Sequence, residues 1–363
     1  MIIKDITDFI ENLAPVQLQE TYDNAGLIIG DKNTEINQIL VCLDVTENIV
    51  DEAIEKKCQL IISHHPLIFK GIKKINGNNS IEKIIIKAIK NNIAIYAVHT
   101  NLDNVINGVN SVLAEKLGLK NQRSLQPKKD IFRKLVFFCP VIHVDRVRKA
   151  IFEAGAGKIG NYDSCSFNTE GEGSFKAMEN ANPFVGEPGK LHFEKEIRIE
   201  TIYPFYLESK IIEALLQSHP YEEVAYDIYK LENYFSQIGS GIIGEIDETD
   251  ELNFLSQIKR ISNCKCIRHS DLLDKKIKKV AICGGSGSFL IKDAIAAKAD
   301  IFISGDIKYH DFFEAENKIL IADIGHYESE QFTKDLLYTF ITKKFPNFAV
   351  LISENNTNPI HYL

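Results

Sequence analysis

The chain has 363 residues, 45% of them hydrophobic and 25% charged, with a formal net charge of −8. That length exceeds one ordinary core, so two or three domains are expected. The acidic balance argues against a broad nucleic-acid or membrane-surface footprint, no apolar run approaches the ~20 residues of a membrane helix, and seven scattered cysteines without a Cys-x-x-Cys fit a reducing cytoplasm.

Ile6, Phe9, Ile10 and Leu13 recur at helical spacing, which predicts an opening amphipathic helix that stops near Pro15. Tyr22 to Leu27 is turn-rich, and its Asn24 and Gly26 are either turn formers or residues lining a site. From Gln38 the pattern alternates: strand at Ile39 to Leu43, helix at Glu47 to Lys57, strand at Leu60 to Ser63, helix at Ile81 to Lys90, strand at Ile93 to Val98, then a helix from Val109 to Leu117. Alternation of this kind predicts a largely parallel sheet with right-handed crossovers.

The composition breaks at Leu125-Gln126-Pro127-Lys128-Lys129, which sets a boundary between residues 1–127 and a second segment, 128–235. In that segment strands are expected at Lys134 to Phe138, Tyr162 to Phe167, Lys195 to Ile202 and Ala225 to Tyr229. Helices fall at Val144 to Ala154 and Leu207 to Gln217, with a Gly- and Asn-rich loop through Gly189. Two β-α-β units in tandem make a small ferredoxin-like domain. Residues 236–363 then repeat the first part: Lys279 to Cys283, Asp300 to Ser304 and Lys318 to Ala322 read as strands that end in Gly284-Gly285-Ser286-Gly287, Gly305-Asp306 and Gly325-His326. The expected fold class is α/β, with two similar halves and an inserted α+β domain.

Open α/β sheets bind ligands beyond the carboxyl ends of their strands, and the chemistry-bearing residues fall there. His64 and His65 follow the Leu60 strand, Asp103 follows the strand ending at Val98, and His326 and Glu330 stand at i and i+4 if a helix opens at Gly325 or His326. Imidazoles and carboxylates without a thiolate suit zinc, iron, manganese or cobalt, and two such ions sharing a carboxylate favour hydrolysis. His310 reads as a proton shuttle or a hydrogen-bonding neighbour, and Asp306 as either an orienting group for a histidine or a helix cap. His99 reads less clearly as a ligand. The Gly284–Gly287 loop lacks the Gly-Lys-Ser/Thr of a phosphate loop, so a tight turn is the default and phosphate binding the alternative.

Ser63-His64-His65-Pro66, His99-Thr100-Asn101-Leu102-Asp103, Gly305-Asp306 with Tyr309-His310, and Gly325-His326 with Glu330 together resemble the ordered motifs of the GTP cyclohydrolase I type 2 family, also called the Nif-three-like family. The segment around His219-Pro220-Tyr221-Glu222-Glu223 resembles the PII/CutA-like domain of its longer bacterial members. The resemblance implies a dinuclear metal centre on His64, His65, Asp103, His326 and Glu330. It also implies a toroidal homohexamer and either a hydrolase acting on a nucleotide or similar phosphorylated small molecule, or a non-catalytic scaffold that works through protein partners.

Overall fold

The computed structural model describes residues 1–363, which divide into a larger unit, Met1–Pro127 with Ser236–Leu363, and a smaller one, Lys128–Phe235. In the larger unit one sheet runs in the order Gly26–Ile29, Ala94–Ala97, Leu60–Ser63, Gln38–Cys42, Ala349–Ile352. The last four strands are parallel to their neighbours and only Gly26–Ile29 is antiparallel. The central strands are Ile-, Leu- and Val-rich on both faces because helices cover both, and Leu40, Val41, Ile61 and Ile62 are fully buried. Each such side chain contributes about 1.5–3 kcal/mol. The covering helices have local reasons to start where they do: Thr46 Oγ1 accepts from the Ile49 N–H ahead of Glu47–Glu55, and Asn79 Oδ1 accepts from the Glu82 N–H ahead of Ser80–Lys90.

The second sheet of this unit runs Arg268–His269, Leu320–Asp323, Ile301–Gly305, Lys276–Ser286, Phe235–Asp250, Lys120–Lys128. Its inner three strands are again parallel and buried. The two halves are therefore similar, but they exchange edges. Ala349–Ile352, near the carboxyl terminus, completes the first sheet, while Lys120–Lys128 completes the second. The Pro127 composition break thus lies within a strand, whose polar, alternately exposed residues mark an edge position. The Gly284–Gly287 segment is likewise mostly strand, since Lys276–Ser286 continues through it.

The smaller unit is a four-stranded antiparallel sheet in the order Phe167–Lys176, Leu191–Pro204, Phe132–Pro140, Tyr226–Lys230, with helices Val144–Glu153 and Glu208–Ser218. The order and connections are those of a split β-α-β fold. The strand expected at Tyr162 to Phe167 lies instead at Phe167–Lys176. Gly171 and Gly173 disguise it as a loop, yet every residue from Phe167 to Lys176 has a partner on Leu191–Pro204. No helix of the protein is long and apolar enough to cross a membrane.

Candidate metal centre

His64 is fully buried just past the Leu60–Ser63 strand, and its Nδ1–H donates to the Val98 carbonyl at 2.8 Å, which leaves Nε2 facing inward. His65 donates from Nδ1 to Asp44 Oδ1 at 2.6 Å and aims its Nε2 at Glu330 Oε2, 3.0 Å away. On the opposite side Gly325 precedes a short helical turn, His326–Glu330. There His326 donates from Nδ1 to Asp306 Oδ2 at 2.7 Å and places Nε2 3.1 Å from Glu330 Oε2 and 3.3 Å from His65 Nε2. The expected i, i+4 pairing is present. Each imidazole is thus fixed at Nδ1 by an oxygen acceptor, the arrangement that orients histidine ligands toward a metal.

Glu330, itself buried, divides its oxygens between two groups. Oε1 lies 3.7 Å from His64 Nε2, which is also 3.7 Å from Asp103 Oδ1, while Oε2 faces His65 and His326. Two triads result, His64–Asp103–Glu330 and His65–His326–Glu330, in each of which the candidate ligand atoms lie within 4.8 Å of one another. His64 Nε2 and Asp103 Oδ1 are buried without any hydrogen-bond partner. An orphaned pair of this kind is costly unless a ligand occupies the space between, so the donor set fits a divalent cation.

The charges point the same way. Burial pulls His65 down, but Asp44 and Glu330 overcome it and raise its pKa to about 10. Burial likewise opposes protonation of His326, and Glu330 with Asp306 raises it to about 9. Burial pushes Asp103 up to about 6, with Glu330 adding to it and His64 opposing. Burial also pushes Glu330 up, but His64 with its imidazole neighbours holds that carboxyl well below its ordinary value. The pocket therefore favours positive charge, which protons on the imidazoles or a cation in their place would supply.

Glycine makes the approach of Glu330 geometrically open. A Cβ at Gly285, where φ is +61°, would collide with Glu330 Oε1, and one at Gly284 would lie 3.2 Å from Glu330 Cγ. The N–H groups of Gly284, Gly285 and Gly287 already donate to Asn110 Oδ1, Ser329 Oγ and Ser304 Oγ. These three amides are thus spoken for within the protein and are not open to a phosphate.

All five expected ligands converge, and Asp306 orients His326. His310 stands apart on the Tyr309–Ala315 turn, exposed and packed edge-on against Tyr309. Three participants escape the sequence reading. Asp44 holds His65, as described. Asp23 holds His99 Nδ1 at 2.7 Å and also accepts from Thr100 Oγ1, so that His99 joins His64 and His65 in a third grouping. Phe69, 47% exposed, has its ring centroid 6.1 Å from that of His99 and 6.2 Å from that of Tyr22, 64% exposed, so an exposed aromatic pair stands beside His99. The only available signal for the aspartates was their place just past a strand or in the turn before one.

Comparison with known proteins shows the family. The family model described as Duf34/NIF3 (NGG1p interacting factor 3) matches residues 1–359. Proteins named GTP cyclohydrolase 1 type 2 homolog from Halalkalibacterium halodurans and Bacillus subtilis are each 39% identical, over 99% of this chain and 98% of theirs. The crystal structure of a Bacillus cereus protein related to NIF3 superposes with a TM-score of 0.85 at 40% identity, covering 100% of this chain and 99% of that one. The sequence motifs, the paired α/β halves and these relatives place the chain in the Duf34/NIF3 family.

Proposed function

We propose that the centre holds two divalent cations, of zinc, iron, manganese or cobalt, and that the protein is a metal-dependent hydrolase of a nucleotide or related phosphorylated small molecule. The observation that carries this reading is the division of one buried carboxylate, Glu330, between two imidazole groups, beside a buried His64 Nε2 and Asp103 Oδ1 that nothing else satisfies. His64, Asp103 and Glu330 would hold one cation, and His65, His326 and Glu330 the other. When bound, such a pair supplies Lewis-acid polarisation of substrate oxygens and activation of water near neutral pH.

The chain's own residues supply the rest. Asp44, Asp306 and the Val98 carbonyl keep three imidazoles in one tautomer with Nε2 directed inward. His99, 15% exposed and held at Nδ1 by Asp23, has its Nε2 available to carry a proton to a leaving group. His310, on its exposed turn, serves at most as a relay reached from solvent. Tyr22 and Phe69 offer a planar ring a face to stack on, and the exposed Lys70, Lys73 and Lys74 that follow suit an attached phosphate. The relatives' name points to a guanine nucleotide within that class. The toroidal homohexamer belongs to the same proposal, and light scattering of the purified chain tests it.

The deciding experiment is turnover of a nucleotide panel by metal-loaded protein, wild type against Glu330→Gln. Hydrolysis by wild type that falls at least a hundredfold in the variant supports the reading. Full metal occupancy without turnover of any member favours a metal-binding scaffold instead.

A further inference from the structure

The smaller unit contains a cavity of about 790 Å³ over the open face of its sheet. Phe138, Phe175, Phe184 and Tyr221 are among its walls, and the Tyr221 ring centroid lies 6.2 Å from that of Phe175 and 6.3 Å from that of Phe184. The size is that of a small-molecule site. Its charge is one-sided, with five glutamates lining it against one lysine and one arginine.

None of the five pairs with a cation, and Glu196 alone among them is not exposed. Along the Leu191–Pro204 strand, Glu194 pairs with His192 at 3.0 Å, and Glu200 pairs with both Lys134 at 2.8 Å and Arg198 at 2.9 Å. Glu196, between them and partly buried, has no cation partner. It lies across Gly173 of the adjoining strand, where any Cβ would collide with its Oε2, and beside the buried Tyr221 hydroxyl. The absence of a side chain at Gly173 therefore lets a carboxylate lie flat on the cavity floor. A partly buried carboxylate beneath aromatic faces attracts a cation, and the other four glutamates of the lining do not gather with Glu196 into a set of ligand atoms close enough for one metal ion. The cation that satisfies both the rings and the carboxylate is an ammonium on an apolar body.

We propose that this cavity binds an organic ammonium ion, with Glu196 as counter-ion and Phe175, Phe184 and Tyr221 as the enclosing rings. Calorimetric titration of the full chain with choline, and with its neutral isostere 3,3-dimethyl-1-butanol, separates charge recognition from apolar filling. Choline is expected to bind about tenfold more tightly than the alcohol. Glu196→Gln is expected to remove that preference, and Phe184→Leu to weaken choline severalfold, both with an unchanged circular dichroism spectrum. Equal binding of the two probes, no binding of choline, or an unaltered preference in Glu196→Gln overturns the proposal. So does sedimentation showing that Phe184→Leu disrupts an association of copies, since a second copy would then occupy the face.

Discussion

The first sheet of the larger unit carries its chemistry on residues just beyond its strands: Asp44 after Gln38–Cys42, His64 and His65 after Leu60–Ser63, and His99 after Ala94–Ala97. The second sheet contributes Asp306, His326 and Glu330 and the space that admits them. Gly284 and Gly285 lie near the end of Lys276–Ser286 and Gly305 ends Ile301–Gly305, where a Cβ would sit 2.7 Å from the backbone nitrogen of His326. That room lets one helical turn bring His326 and Glu330 inward. The first half thus supplies His64, His65 and Asp103, the second supplies His326 and Glu330 on a turn that its glycines admit, and a single centre needs both.

Glu330→Ala should break this comparison most severely, because it removes the group common to both triads. Metal content by elemental analysis is expected to fall from two ions per chain to nearly none while the fold persists, and retention of both ions would refute the shared-carboxylate geometry. Gly285→Ala tests the space that glycine leaves, with every ligand still in place. The left-handed backbone and the collision with Glu330 together are expected to cost about 1–3 kcal/mol of stability, read from urea unfolding, along with most of the bound metal. Asp44→Asn in the first half and Asp306→Asn in the second should each weaken metal affinity about 10–100-fold, measured by chelator competition. A large effect in only one of them would show that the halves do not orient their histidines alike.

A milder prediction concerns the exchanged edge. Glu52 accepts from Lys56, Ser353, the Glu354 N–H and Asn355, which ties the segment after Ala349–Ile352 to the first half. Burial pushes this carboxyl up, but Lys56 and Ser353 outweigh it and hold its pKa at about 2, against an ordinary 4.5. A depressed carboxyl stabilises the fold above its unfolded value and loses that contribution as pH falls from 4.5 toward 2. Glu52→Gln should flatten stability across that acid window and cost about 1–3 kcal/mol at neutral pH, as read by denaturant midpoints. The smallest effect belongs to His310→Ala, which should leave metal content unchanged and lower any turnover less than His99→Ala does.

The five converging side chains were legible because each carries a local signal: two histidines just past an apolar strand, an aspartate soon after another strand, and a His–Glu pair one helical turn apart. Asp44 and Asp23 were not, since what distinguishes them is an imidazole 21 and 76 residues away in the chain. Gly285 was visible as a glycine, but its use depends on a carboxylate 45 positions further on. The Phe167–Lys176 strand was hidden for a related reason. Its glycines suit a loop by composition, while their place in the sheet is set by the long partner strand.

The edge exchange also constrains how the protein can be made. During synthesis the amino-terminal sheet must wait with Gln38–Cys42 unpaired on one side until Ala349–Ile352 leaves the ribosome, more than 300 residues later, and Glu330 emerges only shortly before it. A nascent chain halted midway exposes a sticky strand and carries histidines without their shared carboxylate. The closing of the sheet and the completion of the pocket are thus joined in time, because Glu330 and Ala349–Ile352 leave the ribosome one shortly after the other.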